Sequence, residues 1–183
     1  NCAFLRMGTG GITAQAYGAD RPDECANMLA RSVWVAAALA LLLLAFQRPI
    51  GHASLALMQA GDRVSALAAD YFFARVWAAP ASILLFSLQG WLIGMQDART
   101  PMFIAILSNV VNVVFSLWFA LALGWGIAGV AWGTVVAQYT ALLVALVFLW
   151  VKYRGYLRLI DLRASFSPTP LVHFLTVNRD IFL

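Results

Sequence analysis

Long apolar runs joined by short polar links set the layout of this chain. Residues 2–17 are mostly apolar, interrupted by "GTGG" and carrying Arg6, and they read as the later part of a membrane span. "GADRPDE" follows as a polar turn, and residues 26–46, dominated by "VAAALALLLLAF", form the next span. Residues 47–70 are mixed, with "QRPIGH" and the amphipathic "LALMQAGDRVSALAADY". Their charges predict an interfacial helix or a long loop rather than another crossing. Residues 71–95, 101–123 and 127–151 are the third, fourth and fifth spans. Each full run is close to the roughly 20 residues that cross a hydrocarbon core of about 30 Å. Thr100 is expected to cap the fourth span, with Pro101 at its first helical position. The short links "QDART" and "GWG" predict that successive helices are antiparallel neighbours. The expected fold class is an all-α polytopic membrane protein built as an antiparallel transmembrane helix bundle.

Polar positions inside these runs carry the chemistry. Asn109, Asn112 and Ser116 lie at i, i+3 and i+7 of "LSNVVNVVFSLW", one face of a helix. A buried Asn costs several kcal/mol in hydrocarbon if unpaired, so this stripe must face protein or water. Two Asn and a Ser on one face favour a water-filled cavity over helix–helix hydrogen bonding, the simpler use of such residues. Ser82, Gln89 and Gln96 repeat at i+7 in the third span, and Thr134 and Gln138 are i, i+4 in the fifth. Three polar lines suggest one shared interior, although Ser82 alone is better read as bonding back to its own helix.

Arg6 lies 11 residues before Tyr17, roughly 16 Å by helical rise, which could set it well into the bilayer. An intramembrane Arg pairs with a carboxylate or faces water, whereas one near the interface snorkels. The residues leave both readings open.

Composition agrees with the pattern. The chain has 183 residues, 63% of them hydrophobic and 11% charged, with mean hydropathy +0.83. Soluble domains hold about 45–50% apolar and about 25% charged residues. The net charge of +4 does not call for nucleic acid, because the basic residues flank apolar spans. Arg21, Arg31, Arg99, Lys152, Arg154, Arg158, Arg163 and Arg179 fall on one side, against Arg48, Arg63 and Arg75 on the other. The first set is expected to be cytoplasmic. Cys2 and Cys25, and the two histidines His52 and His173, have no metal-ligand spacing. Gly129 and Gly133 permit close helix approach, and several of the seven tryptophans suit interfacial anchoring. No nucleophile–base set, phosphate loop or metal cluster appears, so an enzyme is not expected. The first residue is Asn1, inside an apolar stretch, and "VNRDIFL" at the end reads as a helix start. A fragment of a longer protein is expected.

"FLRMGTGGITAQAYGA", "RVWAAPAS", "GWLIGMQDARTP" and "NVVNVV", followed by "GIAGVAWGTV" and "VNRDI", resemble the MATE multidrug and toxin extrusion family, DinF-like branch. The motifs run in the family's order over nearly the whole chain, and they are specific in combination rather than singly. The resemblance implies twelve helices in two lobes around a cleft, with proton or sodium entry driving export of organic compounds. It implies that residues 1–151 are a partial N-terminal lobe, helices two to six, that 152–177 are a cytoplasmic inter-lobe loop, and that 178–183 begin the next helix. Helix one, with a membrane-embedded Asp in the family, and the C-terminal lobe would be missing partners of this chain. Asn112 matches a cavity position of helix five and Thr134 one of helix six, while Gln89 is a looser match. Ser116 departs from the pattern, since relatives commonly carry Asp there.

The expected function is therefore an ion-coupled antiporter, in the inner membrane, for drugs or other amphipathic compounds. Its partners would be a small organic substrate, a coupling proton or sodium ion and the lipid bilayer, with no other cofactor. The alternatives are a lipid-linked saccharide flippase of the same superfamily and a non-transporting membrane scaffold. A flippase cavity should be rich in Arg and Lys to meet phosphate. The apolar bodies of spans two to five hold no central basic residue, which favours the exporter. The site residues expected to line the transport cavity are Asn109, Asn112, Ser116, Thr134, Gln89, Gln138 and Arg6.

Overall fold

The computed structural model describes residues 3–51 and 62–161, together with Val172, Phe174 and Thr176. Every regular element among them is helical: α1 (Ala3–Gly18), α2 (Pro22–Ala45), α3 (Asp62–Val76), α4 (Ala79–Gly94), α5 (Arg99–Leu117), α6 (Gly126–Lys152) and the short α7 (Arg154–Leu157). A π-helical turn, Trp118–Ala122, prolongs α5. Among the described residues α2, α6 and α5 with its π turn are each long and apolar enough to cross a membrane, and α3 with α4 makes a fourth, bent candidate. The all-helical membrane bundle expected from the apolar runs is the fold observed.

Local chemistry sets the helix ends. Pro22 opens α2, and Asp23 and Glu24 in its first turn oppose the positive end of the helix dipole. Gly124 and Gly126, at φ +69° and +55°, turn the chain between the π turn and α6 in a conformation that side-chained residues resist. Thr100 does not cap α5. The helix starts at Arg99, and Asp97 accepts a hydrogen bond from the Thr100 backbone N–H at 3.2 Å and another from its hydroxyl at 2.6 Å. A carboxylate three residues upstream reaches the free N–H groups of the first turn better than a hydroxyl within it.

The segment from 62 to 76 takes the helical one of the two expected forms, an interfacial helix or a long loop, but with other bounds. It is continuous helix across the expected boundary at Tyr71, because "SALAADYFFAR" holds no helix breaker. The break comes later. α3 and α4 meet at 46°, and Pro80, two residues into α4, has no N–H to give to the Val76 carbonyl.

α4 sits at the centre. It is apolar over most of its surface, with Leu85, Leu88, Trp91 and Leu92 buried, and it packs on α1, α2 and α6. Its backbone nearly touches α1: a β-carbon added to Gly90 would lie 2.5 Å from the Arg6 carbonyl oxygen, and one on Gly94 2.5 Å from Thr13 Cβ. Trp91 is therefore a core residue and not an interfacial anchor. Its indole N–H donates to the Cys25 carbonyl at 2.7 Å, and its ring meets Tyr153 edge-on at 5.0 Å. α5 is the opposite case. Almost none of its apolar stretch is buried, which leaves that surface for lipid or for other helices.

α4 and α5 are consecutive, yet they touch little and diverge from the Asp97 corner. The expectation of antiparallel neighbours holds for α5 and α6 instead. There Gly133 admits the Ser116 backbone and Gly129 admits Ala120, with added β-carbons 2.5 Å and 2.7 Å from the respective amide nitrogens. The space left between α4 and α5 is the cavity described next.

Candidate functional site

A cavity of about 370 Å³ lies between α4, α5 and α6, with α3 at its edge. Ser82 and Gln89 enter from α4, Ser108 and Asn109 from α5, Gln138 from α6 and Arg75 from α3. Leu85, Phe86 and Ile104 supply apolar wall between them. Spacing explains the gathering. Ser82 and Gln89 are two turns apart on one face of α4, so both look into the gap that α5 leaves by diverging. The amides and hydroxyls offer donors and acceptors without a titrating group, and the guanidinium offers donors alone.

Of the expected site residues, Gln89, Asn109 and Gln138 thus lie together on this cavity. Asn112, Ser116 and Thr134 form a second set outside its lining, where α5 crosses α6. The Ser116 hydroxyl donates to Asn112 Oδ1 at 3.2 Å and lies 3.4 Å from the Val130 carbonyl oxygen, which accepts from the Thr134 hydroxyl at 3.0 Å. Arg6 stands apart from both: its backbone packs on Gly90 while its side chain is exposed. Gln96 is also away from the cavity, exposed at the end of α4 with φ +60°. His52 and His173 lie outside the described residues.

Two residues that the sequence reading passed over stand out. Arg75, counted among loop charges, is half-buried on the cavity wall, five residues before the bend at Pro80. The statement that the spans hold no central basic residue does not describe this cavity, because the α3–α4 bend carries Arg75 inward.

Asp97 is the other. It is buried at the end of the bundle that carries the α4–α5 link, and it accepts from Thr100, from Lys152 Nζ at 2.8 Å and from the Tyr153 hydroxyl at 3.1 Å. Burial by itself would raise the Asp97 carboxyl. The bonds from Lys152, Thr100 and Tyr153 outweigh it and hold the carboxyl well below the usual carboxylate range. Burial first, and then the bond to Asp97, push the Tyr153 phenol up. The signal available in sequence was a lone acid in a short link, a residue most often simply solvated.

Comparison with known proteins fits this architecture. A family model described as MatE matches residues 2–118. The chain belongs to the MATE family. DNA damage-inducible protein F of Escherichia coli K12 is 33% identical over 98% of this chain, which covers 39% of that protein. The probable multidrug resistance protein NorM of a Synechocystis strain is 27% identical over 98% of the chain and 41% of its own length. Among solved structures, the inward-facing conformation of a multidrug resistance MATE family transporter of the MOP superfamily superposes with a TM-score of 0.85. It is 26% identical, with 98% of this chain and 40% of that one covered. The chain therefore spans about two fifths of the length of these MATE relatives. This MATE chain is a multi-pass integral membrane protein of the bacterial inner-membrane type.

Proposed function

We propose that this chain supplies half of the substrate path of an ion-coupled antiporter that exports amphipathic organic compounds by alternating access. The observation that carries the reading is the polar cavity. A bundle bathed in lipid keeps Gln89, Asn109 and Gln138 together only where water or a passing solute meets their hydrogen bonds. The multidrug names of its relatives agree with an organic solute. A scaffold would have no use for such a space.

The coupling ion is a proton or sodium. None of Asn109, Asn112, Ser116, Thr134, Gln89 or Gln138 titrates near neutral pH, so a proton-carrying group would be a residue other than these. The opposing lobe would come from the same longer protein, because gating by rocking needs two bundles.

Reconstituting the intact protein in liposomes tests this reading. An imposed proton or sodium gradient should drive cationic or anionic amphipathic dyes against their own gradients. Failure of both ions to move any dye in well-folded protein would overturn it.

A further inference from the structure

Arg75 is the one charged side chain on the cavity wall among the described residues. It also lines a second cavity, again of about 370 Å³, on the other side of Ser82 and Phe86. That neighbour is walled by Leu43, Tyr71, Phe72 and Ile83 and has no second charge. The two spaces share Arg75, Ser82 and Phe86, so a guanidinium stands at the boundary of a polar and an apolar compartment.

No carboxylate among the described residues answers that charge. Arg21–Glu24 and Lys152–Asp97 are ion pairs at the end of the bundle that holds the α4–α5 link, and neither involves Arg75. Asp23 and Glu24 stand in the first turn of α2, Asp62 and Asp70 on α3, and α4, α5 and α6 carry no acid. Asp70, the nearest acid along α3, is exposed. A half-buried guanidinium with five donors and no acceptor is poorly satisfied where it stands. A solute bringing a cation to this wall would meet repulsion in a medium of low dielectric, whereas an oxyanion would take a forked, charge-assisted pair.

We propose that Arg75 binds the head of an amphipathic oxyanion, a phosphate or carboxylate whose apolar tail occupies the compartment walled by Tyr71, Phe72 and Ile83. Ser82, at the boundary, and the amides of Gln89 and Gln138 supply further donors to the head. The proposal rests on the exporter reading and gives it a substrate class: anionic or zwitterionic amphipaths are preferred over organic cations. The same chemistry occurs in a soluble amphipath and in a lipid headgroup.

The test is equilibrium binding to the intact protein in nanodiscs of phosphatidylcholine, with decyl phosphate and decyltrimethylammonium as matched probes. Decyl phosphate should bind about tenfold or more tightly than the ammonium probe and weaken with added salt. Arg75→Gln should cost decyl phosphate about tenfold or more and leave the ammonium probe bound as tightly or more tightly, with Arg75→Lys in between for decyl phosphate. Should Arg75→Gln fail to fold, the wild-type preference decides alone. Equal affinities for the two probes, or unchanged decyl phosphate binding in folded Arg75→Gln, would overturn the proposal. Repeating the titration in discs containing phosphatidylglycerol identifies the source. Competition by that lipid makes the occupant a lipid phosphate, no competition makes it a soluble amphipath, and either upholds the site. Gradient-driven transport of the ammonium probe without decyl phosphate binding would leave the exporter standing and this inference fallen. Decyl phosphate binding without transport of any probe would do the reverse.

Discussion

Lys152 and Asp97 meet at 2.8 Å across 55 residues of chain, tying the end of α6 to the corner where α4 hands over to α5. The carboxylate is buried and the ammonium half-exposed, so the value of the contact lies mainly with the acid and its bonds to Thr100 and Tyr153. Asp97→Asn should lower stability by about 1–3 kcal/mol, since it keeps an acceptor and loses the charge. The folded-state carboxyl is depressed, so its contribution is complete above the ordinary carboxyl value of about 4 and is lost as pH falls below it. Thermal melts of the purified intact protein between pH 7 and pH 3 provide the check. The wild type should lose more stability below about pH 4 than Asp97→Asn does, and parallel curves would refute the assignment.

At Gly133 the backbones of α5 and α6 approach closely. A β-carbon there would stand 2.5 Å from the Ser116 amide nitrogen, and backbone cannot swing aside as a flexible side chain can. Gly133→Ala should cost about 1–3 kcal/mol or more by forcing the helices apart. Gly155→Ala meets nothing within 4 Å and serves as the control. It should be neutral or slightly stabilising in the same melting experiment.

How much of this was legible in sequence follows the range of each interaction. Apolar runs announce membrane helices because lipid acts on every residue of the run, and those of 26–46, 101–123 and 127–151 fall on α2, on α5 with its π turn, and on α6. The stretch through Tyr71 was harder. Its charges suggested an interfacial helix or a long loop ending at Asp70, but the helix runs on to Val76 for want of a breaker, and Pro80 set the bend. Arg75 passed for a loop charge because linear depth does not reveal where a bent helix points. Asp97 passed for a solvated link residue because its partners Lys152 and Tyr153 come 55 and 56 residues later. Sequence spacing put Asn109, Asn112 and Ser116 on one face, and that much is geometry of one helix. Which part of the face meets a cavity and which meets α6 depends on how α4, α5 and α6 diverge, and no local pattern encodes it.

Orientation can be checked directly. The α1–α2 turn, the α4–α5 link and the end of α6 share one end of the bundle, since Asp97 reaches Lys152 and the Asp161 N–H donates to Asn27 Oδ1 at 2.9 Å. The excess of Arg and Lys at that end predicts that it faces the cytoplasm. Arg158→Cys, at an exposed position, in intact protein with its other cysteines replaced, should resist a membrane-impermeant maleimide in whole cells and react once the membrane is opened. Labelling in sealed cells would reverse the topology.

Ser116 gives the last prediction. Its hydroxyl has one proton, which Asn112 Oδ1 takes at 3.2 Å, while the Val130 carbonyl at 3.4 Å is already served by Thr134 at 3.0 Å. A carboxylate in a cavity can load and release a proton, because desolvation lifts its pKa toward working pH. A serine hydroxyl does not titrate there. Ser116→Ala therefore removes one hydrogen bond and no charge, and Asn112 retains its amide donors for other partners. Transport by the intact protein should weaken by an amount on the order of 1 kcal/mol in apparent affinity or rate, with its pH dependence unmoved. Ser116→Asp should do far more, since a carboxylate would be set against Gly133 where the helices have no room for it. Proteoliposome efflux across a pH series, on protein shown to be folded by its melting curve, separates the outcomes. Loss of ion-driven efflux in Ser116→Ala at normal expression would make this hydroxyl an ion ligand rather than a packing contact.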